Sequence, residues 1–200
     1  DLIKLELIVR KKNISPLAIH LDLGLNRYGI QCNSKVYDIF KTIERNGHKD
    51  ILIIAHLSHA DNCNSEINDT QYENLIEFRN KFKKFRYSLS GSAGVINNSN
   101  FSLDIIRPGI SLFGATSTNS PRMKDFKNVI SLEAPILQIK IIKKGEGVGY
   151  GHKFIANKKS YIATAKIGYA DGLNRRLSKN SLKIFFNGKS FDLVGRISMD

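Results

Sequence analysis

The 200-residue chain has no tryptophan, two methionines, four prolines and two cysteines. Two thiols, Cys32 and Cys63, form at most one bridge and match no zinc-ligand spacing, so neither a disulfide framework nor a zinc knuckle is expected and both read as buried or incidental. No run of about 18 apolar residues occurs, which leaves no candidate for a spanning helix. The opening stretch DLIKLELIVRKK lacks the long apolar run and small-residue cleavage site of a secretory leader. A cytoplasmic protein without a membrane partner is therefore expected. Acidic residues are also scarce, 18 against 31 lysines and arginines, for a formal net charge of +13. Such a surplus favours phosphate-bearing partners, nucleic acid included. The lysines, however, are spread along the chain (Lys11, Lys12, Lys83, Lys84, Lys143, Lys144, Lys158, Lys159), and no strand interleaves them with aromatics, so no nucleic-acid role is expected.

What is present is ordered by period. LAIHLDL (17–23) predicts a strand. SKVYDIFKTIERNG (34–47) predicts a helix with Val36, Ile39, Phe40 and Ile43 on one face and Gly47 as its stop. ILIIAHL (51–57) predicts a buried strand, and NDTQYENLIEFRNKFKKF (68–85) a helix capped by Asp69 or Thr70 with Leu75, Phe78 and Phe82 inward. RYSLSG (86–91) and LDIIRPGISLFG (103–114) supply further strands. Strands alternating with helices over short connections imply parallel strands and crossover helices. STNSPRMKDFKN (117–128) reads as a linker. Beyond it, β-branched runs broken by glycine and asparagine predict an all-β part, with NGKS (187–190) as a hairpin turn.

In an α/β barrel the reactive groups gather at the carboxyl ends of strands. HLDLGLNRYG (20–29) presents Arg27, either a clamp for a carboxylate or oxyanion or a solvated loop arginine. AHLSHAD (55–61) presents His56, His59 and Asp61, which read as a metal site or as hydrogen-bonded side chains; the spacing fits no standard zinc pattern. LSGSAGVINNS (89–99) sets small hydroxyl residues and glycines before a short helix, where free amides favour a phosphate. In IIRPGISLFG (105–114), Arg107 ends a strand and Gly109 lets a ligand approach the backbone. GVGYGHKF (147–154) places Tyr150 between glycines.

In this order and spacing, HLDLGLNRYG, HLSHAD, SAG, RPGISLFG, GYGHKF, GYADG and VGRISMD resemble the alanine racemases, which use pyridoxal 5′-phosphate. The resemblance implies a TIM-type α/β barrel, of which only the C-terminal part is present (1–125), followed by a mainly β domain (126–200). It implies racemisation of L- and D-alanine for peptidoglycan by two bases, in a homodimer whose sites are shared between subunits. Tyr150 matches a catalytic base that enters the barrel mouth of the other subunit, flanked by glycines that leave its approach open. A phenol, of ordinary pKa about 10, is a poor base at neutral pH. By the same resemblance His56 bonds the tyrosine, and Arg107 stands behind it and faces the pyridine nitrogen of the cofactor. Ser92, Gly109 and Ile110 match phosphate-binding positions. Arg27 and the Met199 backbone match groups near the substrate carboxylate, and Tyr169, Arg175, Arg196 and Asp200 the substrate entrance. No metal is implied.

Three positions depart from the family pattern: His20 where a modified lysine is common, Gly91 where an asparagine precedes the phosphate serine, and Ser198 where many members have cysteine. No segment resembling the family's VKANAYGHG, which carries the cofactor lysine, occurs in these 200 residues, and a late tyrosine that helps hold the phosphate is likewise missing. The expectation is an interior or truncated piece whose activity belongs to the intact parent. The alternatives are a non-catalytic barrel that binds the same cofactor and a metal-dependent hydrolase using His56, His59 and Asp61.

Overall fold

A computed structural model of the chain describes residues 2–11, 16–48, 50–115, 117–178 and 182–200. The chain divides into two compact units, Asp1–Ser131 and Leu132–Asp200, against a sequence division after residue 125.

The first unit is built of helices α1 (Leu2–Val9), α2 (Ser34–Arg45), α3 (Glu66–Lys81) and α4 (Ser92–Asn97) and strands β1 (Leu17–Asp22), β2 (Ile30–Gln31), β3 (Ile51–Ile54) and β4 (Arg86–Ser88). The strands lie in the order β2-β1-β3-β4, all parallel, with Ile19 opposite Ile53 and Ile53 opposite Tyr87. A parallel sheet needs a crossover between neighbours, and α2 and α3 supply it. Helix α2 buries Val36, Ile39, Phe40 and Ile43, the face its period predicts, and Asn33 caps it by accepting from the Val36 amide. Helix α3 buries Leu75 and Phe78, with Phe82 buried just past its end. It begins at Glu66, ahead of the expected caps, and Ser65 makes no side-chain capping bond. Phe40 meets Phe78 edge-on at 4.9 Å, and Phe78 meets Phe82 at 4.9 Å. This cluster ties both helices to the sheet; truncating Phe40 or Phe78 to alanine costs about 3–5 kcal/mol.

Two expectations fail. Residues 103–114 form no strand: Asp104 and Ile105 donate to the Tyr87 carbonyl, Arg107 pairs with Gly91 through one isolated parallel bridge, and Ile110–Phe113 is a 3-10 turn. Leu103 sits at φ 47° and Pro108 has no amide to donate, so a ladder cannot form. Nor is 117–128 the expected linker: it lies within the first unit. Thr118 and Ser120 are buried. Asn119 donates its amide to the Asp61 carbonyl at 3.0 Å and accepts from the Cys63 amide at 2.9 Å, while Thr118 donates to Asn97 Oδ1 at 2.5 Å. The segment is a strap over the loop that follows β3. Both thiols are free, Cys32 exposed and Cys63 half-buried, so neither is a core side chain.

Among its described residues the second unit has strands and 3-10 turns. β5 (Ile136–Ile142) runs antiparallel to β8 (Ser160–Ala165), β6 (Gly147–Val148) to β7 (Phe154–Ile155), and β9 (Lys183–Phe186) to β10 (Lys189–Asp192). The last pair closes through Asn187 and Gly188 at φ 47° and 74°, so the hairpin expected at 187–190 is made by a two-residue turn of double positive φ.

Candidate active site

Parallel strands deliver their carboxyl ends to one edge of the first unit, and the candidate groups of that unit sit there. Arg107 is the hub. Its Nη2 donates to the Ala55 carbonyl at 2.7 Å, to His56 Nδ1 at 3.1 Å and to the Leu89 carbonyl at 3.3 Å, and its Nη1 donates to Ser88 Oγ. Ser88 is fully buried and passes its own proton to the Ile105 carbonyl at 2.7 Å. An arginine only donates, so His56 Nδ1 is the lone-pair nitrogen and the neutral ring carries its proton on Nε2. Electrostatics agrees. Burial, then the charges of Arg107 and Arg27, then His20, push His56 below the ordinary histidine value. Burial, Arg107 and Arg27 lower His20 as well, with Asp22 opposing. Burial also lowers Arg107, which nonetheless keeps its charge.

Beside this hub, Ser92 opens α4. Its Oγ accepts from the Gly109 amide at 2.8 Å, the Ser111 amide at 3.2 Å and the Ser111 hydroxyl at 3.1 Å. Three donors converging on one hydroxyl oxygen form a cradle suited to an oxyanion. Ile110, the third phosphate position expected from the sequence, has an exposed side chain. A β-carbon on Gly91 would stand 3.3 Å from His56 Cε1, so the residue that replaces the family asparagine leaves room against that ring.

The loop after β1 carries Arg27, stacked on Tyr28. His59 Nδ1 lies 2.8 Å from Ser58 Oγ, and the Asp61 carbonyl accepts from Asn119. Among the described residues no three histidine, cysteine or acidic side chains converge, and Arg107 occupies His56 Nδ1.

In the second unit Tyr150 is 72% exposed and stands between Gly149 and Gly151, both at φ 67°. The flanking glycines therefore do more than clear space: they let the chain turn left-handed on both sides of the phenol. Arg196 lies behind this turn, its Cζ 3.9 Å from where a Gly151 β-carbon would be. Arg175 stacks on Tyr169 with Cζ 5.1 Å from the ring centre. The Tyr169 and Ala170 amides donate to the Ser198 and Met199 carbonyls at 3.0 and 2.8 Å. A β-carbon on Gly168 would collide with the Met199 carbonyl at 2.3 Å, and the next residue is Asp200. Tyr169, Arg175, Met199 and Asp200 thus form one cluster, and Tyr150 and Arg196 a second.

Residues 4–117 match the family model "Alanine racemase, N-terminal domain" and residues 129–200 match "Alanine racemase, C-terminal domain". The chain belongs to the alanine racemase family. Relatives of this racemase-family chain include the alanine racemase of Acidiphilium cryptum, 37% identical over 92% of the chain and 51% of that protein, and that of Helicobacter acinonychis, 36% identical over 94% and 54%. The chain spans about half the length of the curated relatives it matches. Two solved structures are similar. The alanine racemase of Bartonella henselae, with covalently bound pyridoxal phosphate, superposes with a TM-score of 0.77 at 31% identity over all of this chain and 55% of its own. That of Acinetobacter baumannii gives 0.80 at 30% identity over 92% and 51%. Sequence reasoning missed two residues that the structure joins to the candidate groups, Ser88 and Ser111. Ser88 lies within the RYSLSG strand and Ser111 inside the apolar run after Pro108; only their closeness to Arg107 and Ser92 distinguishes them.

Proposed function

We propose that the protein containing this chain interconverts L- and D-alanine with pyridoxal 5′-phosphate, using two bases on opposite faces of the substrate, one of them Tyr150. The observation that carries the reading is the Arg107–His56 contact, which fixes the imidazole neutral with its proton on Nε2. From there His56 can donate to the Tyr150 Oη of a second copy. A phenol oxygen that receives such a bond is held as an acceptor, the state required of a base. Tyr150 Oη then takes the Cα proton on one face and returns it there in the reverse direction. The phenol is exposed on the second unit, as a group that serves another copy must be. We read the working form as a cytoplasmic homodimer and its product as D-alanine for peptidoglycan, both carried over from the family resemblance.

The residues fit the cofactor. The Gly109 and Ser111 donors that converge on Ser92 Oγ would exchange that oxygen for one of its phosphate, with the Ser92 hydroxyl beside them, and the two arginines at this edge suit its negative charge. Among the described residues, Arg107 has Nε–H and one Nη1–H with no protein partner, so it can face the ring nitrogen while surrendering no proton. When bound, the cofactor supplies an electron sink that acidifies the substrate Cα–H. Arg27 is the group at this edge suited to the substrate carboxylate, and Tyr169, Arg175, Arg196 and Asp200 line the entrance.

Neither alternative is favoured. The hydrolase reading loses His56 Nδ1 to Arg107, and a non-catalytic barrel leaves the match to the C-terminal family domain without a role. In the intact protein, Tyr150→Phe should lower turnover by orders of magnitude while the bound cofactor keeps its absorbance. Undiminished racemisation would reject the assignment.

A further inference from the structure

We propose that Tyr28 is a positioning residue for Arg27: its ring, braced edge-on by His20, is the platform that orients the guanidinium toward a substrate carboxylate. The inference rests on the reading of Arg27 as the carboxylate clamp and adds what aims it.

The loop that carries both residues is closed by its own backbone chemistry. Asp22 Oδ1 accepts from the amides of Gly24 at 3.1 Å and Asn26 at 3.0 Å, with Asn26 itself at φ 55°. The chain then returns along β1, where β2 pairs Leu21 with Ile30 and Asp22 with Gln31. Gly29, at φ 126°, permits that return: a β-carbon there would stand 2.9 Å from the Asp22 amide nitrogen and 3.0 Å from the His20 carbonyl. Tyr28, one residue earlier, is thereby set beside β1 and meets the His20 ring at 5.7 Å with the planes at 88°. The Arg27 Cζ lies 5.2 Å from the Tyr28 centroid, inside the range in which an aromatic face attracts a cation.

A charged partner would serve Arg27 more simply. Among the described residues, though, no carboxylate pairs with it. The nearest in sequence, Asp22, gives an oxygen to two loop amides. His20, at the family's modified-lysine position, carries no negative charge in either protonation state, and burial with Arg107 and Arg27 pushes it toward its neutral form. The negative potential left to hold the guanidinium is the face of the Tyr28 ring, and the edge contact from His20 keeps that face in place.

The test measures binding and rate on the intact, cofactor-loaded protein. Propionate, which has the carboxylate of alanine and no amine, is titrated calorimetrically, and KM and kcat are measured for L-alanine. Tyr28→Leu should weaken propionate and raise KM by the same factor, about two- to five-fold, the range available to a partly exposed cation–π contact, with little change in kcat. Tyr28→Phe, which keeps the face, should restore both. Since Tyr28 is 64% exposed, neither variant threatens folding, and an unchanged urea midpoint checks this. Leucine indistinguishable from tyrosine, or phenylalanine as impaired as leucine, overturns the proposal. Arg27→Gln separates the levels: if it abolishes propionate binding while Tyr28→Leu does nothing, the platform alone fails; if it leaves binding intact, the clamp fails and the platform with it.

Discussion

Replacing Arg107 by lysine keeps a positive charge and removes the fork. The guanidinium spans the Ala55 and Leu89 carbonyls, His56 Nδ1 and Ser88 Oγ. A lysine ammonium concentrates its three donors on one atom and cannot reach past β3 and β4 together. At least two of the four acceptors would lose their donor. A buried acceptor left unpaired costs about 1–3 kcal/mol, and this site is only partly buried, so the expected loss is about 2–4 kcal/mol. With a urea slope of about 2 kcal/mol per molar, the unfolding midpoint should fall by about 1–2 M. The chain has no tryptophan, so far-ultraviolet circular dichroism is the suitable probe. A companion measurement reads the imidazole: nitrogen-15 spectra of the parent protein should show Nδ1 of His56 as the unprotonated nitrogen. A midpoint shift below about 0.3 M, or a proton found on Nδ1, would refute the reasoning from the four contacts.

His20 and His56 hold their protons less tightly folded than unfolded, chiefly through burial and then through Arg107 and Arg27. The unfolded chain therefore binds more protons just below the ordinary histidine value of about 6.5. Their contribution to stability is complete above that pH and is lost as pH falls through the lowered folded values; urea midpoints measured across this window should decline, and His20→Gln with His56→Gln should flatten the decline. An equally steep double variant would contradict the sign. Gly151→Ala should cost about 1–2 kcal/mol because Gly151 sits at φ 67°, whereas the added methyl meets Arg196 at an ordinary 3.9 Å; a neutral change in thermal unfolding would show that the turn relaxes.

Periodic features were the legible ones. The Val36, Ile39, Phe40 and Ile43 face of α2, the strand cores and the Asn187–Gly188 hairpin each depend on side chains close in sequence. The run from 103 to 114 misled because hydropathy counts Ile105, Ile106, Ile110 and Leu112 alike, while Leu103 and Pro108 decide through backbone conformation whether a ladder forms. The 117–128 segment misled for the opposite reason. Asn119 and Thr118 are polar and read as loop, yet their hydrogen bonds to Asp61, Cys63 and Asn97 span a sequence distance that no local pattern records. At the site, motif order was enough to single out His56, Arg107, Ser92 and Tyr150 as candidates. The imidazole tautomer, the parts of Ser88 and Ser111 and the stack on Tyr28 required coordinates, since each depends on which atom faces which.

The strap has a mechanical consequence. The chain leaves the first unit through a segment whose Asn119 grips both Asp61 and Cys63, in the loop whose root is His56. Loss of those two bonds would be felt first by that loop and only afterwards by the sheet. A clasp set beside His56 but built from Asn119 lets the footing of that histidine be adjusted by a residue that never meets the substrate.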